Sequence, residues 1–598
     1  MKKLPTAAVT GLVAAAMLSA CSSGGTGATS SGGGVFTTVN EAHPITAGAP
    51  MNPFNPSGNT FDSYDQMELG YPKSVALNPN AFFPALAASW QLENNGLRLV
   101  VHLQPRARWS TGAPVTAEDV KLSAAIAFTQ GTQPSNLENV TILGPKELAF
   151  NAIPGTTNQL FTSEVLDITV VPTSVYGTEV PADIWSTIAK AEYTGTAKPR
   201  VAAATKAQAT LASLGKTIAA FAPATDVSAG PFVLKRLNPG EALLVRNPDF
   251  YNVGAISPAE VEMRNYTGNQ QIWNYLIAGE LDAAPYTAMP ENVLHSILAT
   301  KGNQEVTSPS FVAAALAFNE KDYPYGLLAV RKAFAYLLNR QEITKVGEAV
   351  SGTATKYQVG LIDSIVPAWL SPAQRTHLHL YPYDPAKAKA LLEGAGFTER
   401  GGSWYLPNGH PWSVTIETVS GFSDWIAAGK FMASELTSFG IPATMSIASS
   451  YAEYLKELAL GDYSVGFWLN ALGPSVYNAY SRIWGSDDGY NVVGNSVQRS
   501  STGNWLNAPA TYTLPSVGTI NPAKLTAQLS ELSSTAAKPV VAELAEADNL
   551  ELPMINLWNY INVQFVNTTR FTDFPIGHNS LLNDPPGLWM INGFVKRH

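Results

Sequence analysis

Between Trp468 and Trp484 the chain sets two indoles, the phenol of Tyr477 and the amide of Asn470 in one short stretch. Tyr286 and Trp425 offer the same kind of surface elsewhere, and Asn55 adds an amide at an early turn. A flat ring with one polar handle loses little side-chain freedom on binding, and it stacks on a sugar or on a peptide side chain. In a chain with 10% aromatic residues, the same side chains serve equally as core packing. Bond-breaking chemistry has no comparable signal. No G-x-S-x-G, H-E-x-x-H, phosphate-binding loop or Gly-rich dinucleotide turn occurs in a suitable context. Gly401-Gly402, ahead of Ser403-Trp404-Tyr405 and Asn408-Gly409, reads as a β-hairpin. His377-Leu-His379 puts two imidazoles on one face of an expected strand, but the eight histidines are scattered and the single cysteine is Cys21. Neither a metal site nor a cofactor is expected from that set. The chemistry on offer is non-covalent capture, and the chain is not expected to be an enzyme.

The elements that would position these residues begin with an export signal. Lys2 and Lys3 precede an uncharged, largely apolar run from Ala7 to Ala20, too short to span a bilayer comfortably. Leu18-Ser19-Ala20-Cys21 resembles the bacterial lipobox, in which the Cys thiol is diacylated after cleavage. The expectation is a signal peptide over 1–20, lipidation at Cys21 and a Ser/Gly/Thr tether over 21–34. Each buried acyl CH2 adds about 0.8 kcal/mol of membrane affinity, so two or three chains anchor stably. The protein would then sit on the extracytoplasmic face of the cell membrane. With one cysteine, no intramolecular disulfide is available, and the core alone must hold the fold.

The formal net charge is −9, and it becomes more negative once Lys2 and Lys3 are removed. Nucleic acid and anionic membrane surfaces are therefore poor partners. Charged residues are 14% of the chain, against about 25% in typical domains, so binding through neutral hydrogen bonds and aromatic contacts is favoured over dense charge. At 598 residues there is room for three or four domain-sized units.

Residues 36–44 read as an opening strand, ended by the proline-rich Met51-Asn-Pro-Phe-Asn-Pro56 turn. Leu97-Arg-Leu-Val-Val-His-Leu103 belongs to a strand pair, followed by a helix with Thr116 as N-cap and with Glu118 and Asp119 in its first turn. In Asp384 to Ala395, Ala388, Leu391, Leu392 and Ala395 recur at helical spacing; Pro385 suits the first turn and Gly396 the C-cap. Residues 196–222, rich in Ala, Lys and Gln, read as a helical insertion.

Pro84-Ala-Leu-Ala-Ala-Ser-Trp90 and Trp109-Ser-Thr-Gly-Ala-Pro-Val-Thr-Ala-Glu-Asp-Val120 resemble the signature of family 5 extracellular solute-binding proteins, with Thr111 where an acidic residue is usual. Gly230-Pro-Phe-Val with Arg246-Asn-Pro-Asp-Phe-Tyr251, Gly279-Glu-Leu-Asp-Ala-Ala284, Leu316-Ala-Phe-Asn-Glu320, Val330-Arg-Lys-Ala-Phe-Ala335, Asp384 to Phe397 and Gly461-Asp-Tyr-Ser-Val-Gly-Phe467 resemble further family segments, in the family's order. The resemblance implies an α/β protein of two lobes, the periplasmic-binding-protein type II fold with an extra domain. Domain I would comprise 34–72, 226–305 and 560–598, domain II 73–225, and domain III 306–559, with a hinge where the chain crosses near 305 and 559. It also implies a monomer that delivers a small solute to ABC permease subunits and their ATPases.

Within that frame Trp468, Asn470, Tyr477, Trp484, Tyr286, Trp425 and Asn55 are the candidate ligand contacts, at strand ends and turns facing the interlobe cleft. Peptide-binding members usually carry an Asp just after the strand that here ends near Phe467, pairing with the peptide's ammonium. This chain has Asn470-Ala-Leu-Gly-Pro-Ser-Val-Tyr-Asn-Ala-Tyr480 there, with no carboxylate. Either another acid, such as Glu41, takes that role, or the ligand lacks a free amine. Oligopeptide is the first reading and neutral, cello-oligosaccharide-like sugar the alternative. Nickel or haem binding, and a non-transport signalling role, rank below both.

Overall fold

A computed structural model describes residues 34–40, 45–73, 78–192, 197–471, 473–485, 504–577 and 579–598. The signal segment, Cys21, nearly all of the tether and Glu41 lie outside the described residues. Among the described residues no helix is long and apolar enough to cross a membrane.

Three larger sheets organise the described residues, beside five two-stranded ones. Val35–Val39 runs parallel to Glu260–Arg264, which continues antiparallel through Glu241–Arg246 to Phe232–Asn238. A second, all-antiparallel sheet orders Ala87–Glu93, Arg98–Leu103, Glu147–Ala152 and Leu137–Gly144. Against it lies the helix Ala117–Gln130, whose Asp119 carboxylate accepts the Thr116 N–H at 2.7 Å, as the sequence suggested for this start. The Ala-rich segment is a single helix, Lys198–Ala220, packed on that helix; Gln130 Nε2 donates to the Gly215 carbonyl at 3.2 Å. The Gly401-Gly402 segment is a hairpin of Thr398–Arg400 and Ser403–Tyr405, with both glycines at positive φ as a tight two-residue turn requires.

The third sheet orders Ala283–Ala284, Met554–Asn567, Asn303–Phe318, Val465–Asn470, Val414–Val419 and Ala443–Ala448, with Gly352–Ala354 on the side. Its two long strands pair in register from Asn303 with Asn567 to Pro309 with Ile561, then break and resume at Ala313 with Asn559. Such an irregularity bends a strand locally. The buried apolar side chains divide at the same place. One cluster gathers Phe36, Leu99, Phe232, Val306, Val566 and Trp589, a second Phe311, Leu316, Trp425, Trp468 and Tyr560. A small third cluster, including Val39, Ile272, Leu281 and Phe565, seats the helix Asn269–Ile277 beside the first. We refer to these as the first and second lobes. Both hold more than enough apolar residues for an independent core.

Candidate ligand-binding site

Among the described residues, two contacts bridge the lobes through main-chain hydrogen bonds outside the shared sheet. On one side the Gln159 N–H donates to the Ser530 carbonyl at 2.6 Å. On the other, Thr267-Gly268-Asn269 crosses Gly421-Phe422-Ser423: the Asn269 N–H donates to the Gly421 carbonyl at 3.2 Å, and Asn269 Nδ2 to Ser423 Oγ at 3.0 Å.

Next to that second contact, chain ends from both lobes converge. Tyr286 follows the short strand Ala283–Ala284, and its hydroxyl donates to Glu348 Oε2 at 3.1 Å. Ser351 Oγ donates to Glu348 Oε1 at 2.7 Å. Asp424 and Trp425 stand in the first turn of Ser423–Ser438, where the Trp425 indole N–H donates to the Tyr560 hydroxyl at 2.9 Å and Tyr560 donates to Asp424 Oδ2 at 2.8 Å. The rings of Tyr286 and Tyr560 meet edge to face at 5.7 Å. Glu348 and Asp424 are fully buried or nearly so, and among the described residues neither has a Lys, Arg or His in ion-pair contact. Asp424 Oδ1 has no hydrogen-bond partner there. Burial pushes the Glu348 carboxyl up, Asp424 pushes it further, and burial raises Asp424 as well. Burial and the neighbouring carboxylate thus both favour the protonated form of Glu348.

Beside Tyr286 opens a cavity of about 200 Å³, walled by Tyr266, Asn562, Gln564, Asn583 and Asp584. Among the described residues no lysine, arginine or histidine lines it. The arrangement offers ring faces, side-chain amides and acceptor oxygens, the equipment for holding a polar solute that carries positive charge.

Of the residues singled out from sequence, the structure brings Tyr286 and Trp425 together at this seam, through Tyr560. Trp468 and Asn470 lie on the strand Val465–Asn470 itself, not after it. Trp468 is fully buried among Tyr451, Tyr454 and Trp505, with the Arg482 guanidinium over its ring at 5.4 Å. Asn470 Nδ2 donates to Asn556 Oδ1 at 2.7 Å. Tyr477 and Trp484 are on the helix Val476–Trp484 and pack on the second lobe's core, Trp484 edge-on to Tyr512 at 5.5 Å. Asn55 sits in a turn of the first lobe, its side chain accepting the Ser57 N–H at 2.8 Å. His377 caps the short helix Pro372–Thr376 and His379 follows it, so the pair is not on a strand as expected. Among the described residues no three His, Cys, Asp or Glu side chains are grouped to hold a metal ion. Sequence reasoning missed Glu348, Asp424, Tyr560 and the crossing glycines. Only Asp424, beside Trp425 at the end of a Gly-containing turn, carried a readable signal.

The defining pattern of bacterial extracellular solute-binding proteins, family 5 Middle, matches residues 81–491. The chain belongs to this family. Its members are extracytoplasmic solute-binding proteins that work with ABC permeases, and the ordered segments in the sequence are theirs. Among solved structures, this family 5 protein resembles the periplasmic oligopeptide-binding protein of a Thermotoga maritima ABC transporter, crystallised with mannohexaose (TM-score 0.69, 19% identity, 94% of this chain and 99% of that one). It also resembles the oligopeptide-binding protein AppA of Bacillus subtilis in complex with a nonapeptide (TM-score 0.67, 16% identity, 94% and 99%). A third similar structure is NikZ of Campylobacter jejuni in complex with Ni(L-His) (TM-score 0.65, 16% identity, 94% of this chain and 99% of that one). At these identities the likeness establishes the fold, the multi-domain α/β periplasmic-binding-protein type II architecture. The glutathione-binding protein of Salmonella typhi is 30% identical over 178 residues, 29% of this chain and 32% of that protein. The family 5 chain thus aligns with about a third of the length of these curated relatives.

Proposed function

We propose that this solute-binding protein captures oligopeptides between its lobes and delivers them to a membrane permease, without acting on them as an enzyme. The observation that carries the reading is the Glu348–Asp424 pair, two buried carboxyls at the lobe seam with no Lys, Arg or His in ion-pair contact among the described residues. A peptide's ammonium supplies the missing charge, and the Tyr286, Tyr560 and Trp425 rings give its side chains a wall. The pair fills the role left vacant where the strand ending at Asn470 carries no Asp. Phe467 backs that wall, with Trp425 stacked on it at 5.5 Å, and Trp468 is linked to Trp425 through the rings of Tyr451 and Phe422. A peptide-bound and a glutathione-binding relative within the likeness are in keeping with this ligand class.

A neutral oligosaccharide is the second reading. Asn562, Gln564 and Asn583 beside Tyr266 and Tyr286 suit sugar hydroxyls, and one similar protein holds mannohexaose.

A thermal-shift panel separates the two. At 100 times Kd a ligand adds about 2.7 kcal/mol of stability. Di- to hexapeptides with free amines should raise the melting temperature, and their N-acetylated forms should not. Equal shifts from acetylated peptides, or shifts from cello- or malto-oligosaccharides alone, would overturn the peptide reading.

The domain limits proposed are those suggested by the sequence, with the hinge at the register break opposite Tyr560. Anchoring through Cys21 follows from the lipobox-like segment. Cys21→Ser should move the protein from the membrane fraction to the soluble one, and persistent retention would sink the anchor.

A further inference from the structure

We infer that the crossing of Thr267-Gly268-Asn269 over Gly421-Phe422-Ser423 is a latch that holds the lobes together even without a solute, and that it sets how long a captured solute stays. The inference rests on solute capture between the lobes, but its first test needs no solute.

The backbones cross too closely for side chains. A Cβ on Gly268 would stand 2.7 Å from the Gly421 Cα and 3.0 Å from its carbonyl oxygen. One on Gly421 would meet the Thr267 carbonyl oxygen at 3.0 Å and the Gly268 Cα at 3.3 Å. These obstacles are main chain from the opposite lobe, so they yield only if the lobes part. Both glycines also sit at positive φ, +148° and +92°.

The bonds across the crossing are directional. Asn269 opens the helix Asn269–Ile277, and the first N–H groups of a helix have no acceptor within it. That of Asn269 is satisfied by the Gly421 carbonyl of the other lobe. Its side chain spans the same seam to Ser423 and is held in place by the Thr287 hydroxyl, which donates to Asn269 Oδ1 at 3.2 Å. Ser423 immediately precedes Asp424 and Trp425, so the latch and the carboxyl pair share one helix start. A latch engaged without solute makes the closed form part of the resting population, and a solute that bridges the lobes adds to that population.

Amide-resolved hydrogen exchange on the full, solute-free chain tests this, because among the described residues the acceptor of the Asn269 N–H is the Gly421 carbonyl of the other lobe. The Asn269 amide should exchange at least tenfold more slowly than an unstructured amide. Gly421→Ala should remove that protection while the interior amides of Asn269–Ile277 stay protected, which separates an opened latch from a misfolded variant. Ser423→Ala, which leaves the backbone crossing intact, should speed Asn269 exchange by a smaller factor. With a free-amine tripeptide as probe, Gly421→Ala should raise the dissociation rate at least tenfold with little change in the association rate. Unprotected Asn269 in the wild type, or unchanged protection in Gly421→Ala, overturns the latch. If the latch signals appear and no peptide binds, the peptide reading alone fails.

Discussion

The second lobe buries two acidic clusters, and they are built on opposite terms. Arg331, on the helix Leu328–Leu337, is almost completely buried; its guanidinium meets Glu320 Oε2 at 2.9 Å and Glu551 Oε2 at 3.7 Å, and also donates to the carbonyls of Tyr325 and Glu551, both at 2.8 Å. Burial still pushes Glu320 up to about 7, with Arg331 pulling it back down. Glu348 and Asp424 have hydroxyl donors but, among the described residues, no guanidinium. The first cluster is complete within the chain and serves the fold. Among the described residues the second has no counter-charge where the lobes meet, and the proposal of a cationic solute rests on that difference.

The largest expected effect probes the first cluster. Arg331→Met removes the shared cation and strands the buried Glu320, with the half-buried Glu551 losing one partner, and breaking a buried pair in this way costs about 3–5 kcal/mol. The urea midpoint of the second lobe should fall accordingly, while peptide affinity of the folded protein stays within about threefold, since a change of 1.4 kcal/mol would already be tenfold. A loss of stability below about 1 kcal/mol, or a selective loss of binding, would erase the contrast between the clusters.

Local elements were legible wherever a single segment decides its own conformation. Thr116 with Asp119, Pro385 within its turn, and Gly401-Gly402 all state their structure in a few residues, and the order of family segments carried the architecture. The site was legible only in part, because its parts are far apart in sequence. Tyr286, Glu348, Asp424 and Tyr560 come from four separated segments, and no spacing rule links them. The aromatic cluster from Trp468 to Trp484 reads the same whether it faces a cleft or a core. Which of the two it faces depends on strand direction in the third sheet, where Trp468 pairs with Ala315 and its indole points among Tyr451, Tyr454 and Trp505.

A smaller effect probes the second cluster through pH. Glu348 binds its proton more tightly in the folded protein than in the unfolded chain, where a Glu titrates near 4.5. Between that value and its raised folded value the native state therefore carries more protons, and stability falls as pH rises. The contribution is fully present below the unfolded value and is lost as pH climbs through the folded one. Glu348→Gln removes this titration and keeps the shape of the protonated acid. The variant should match the wild type within about 1 kcal/mol near pH 5 and exceed it by at least about 1.4 kcal/mol near pH 9, the equivalent of one pK unit. Part of the slope will remain, since Asp424, Asp548, Glu417 and Glu320 are also raised by burial. Urea midpoints of both proteins across that range measure the difference. A parallel pair of curves would mean that Glu348 already has its counter-charge within the chain, and the two clusters would then be of one kind. Diverging curves, with weaker binding of free-amine peptides by Glu348→Gln, would tie the same carboxyl to both the cost in the empty protein and the hold on the ligand.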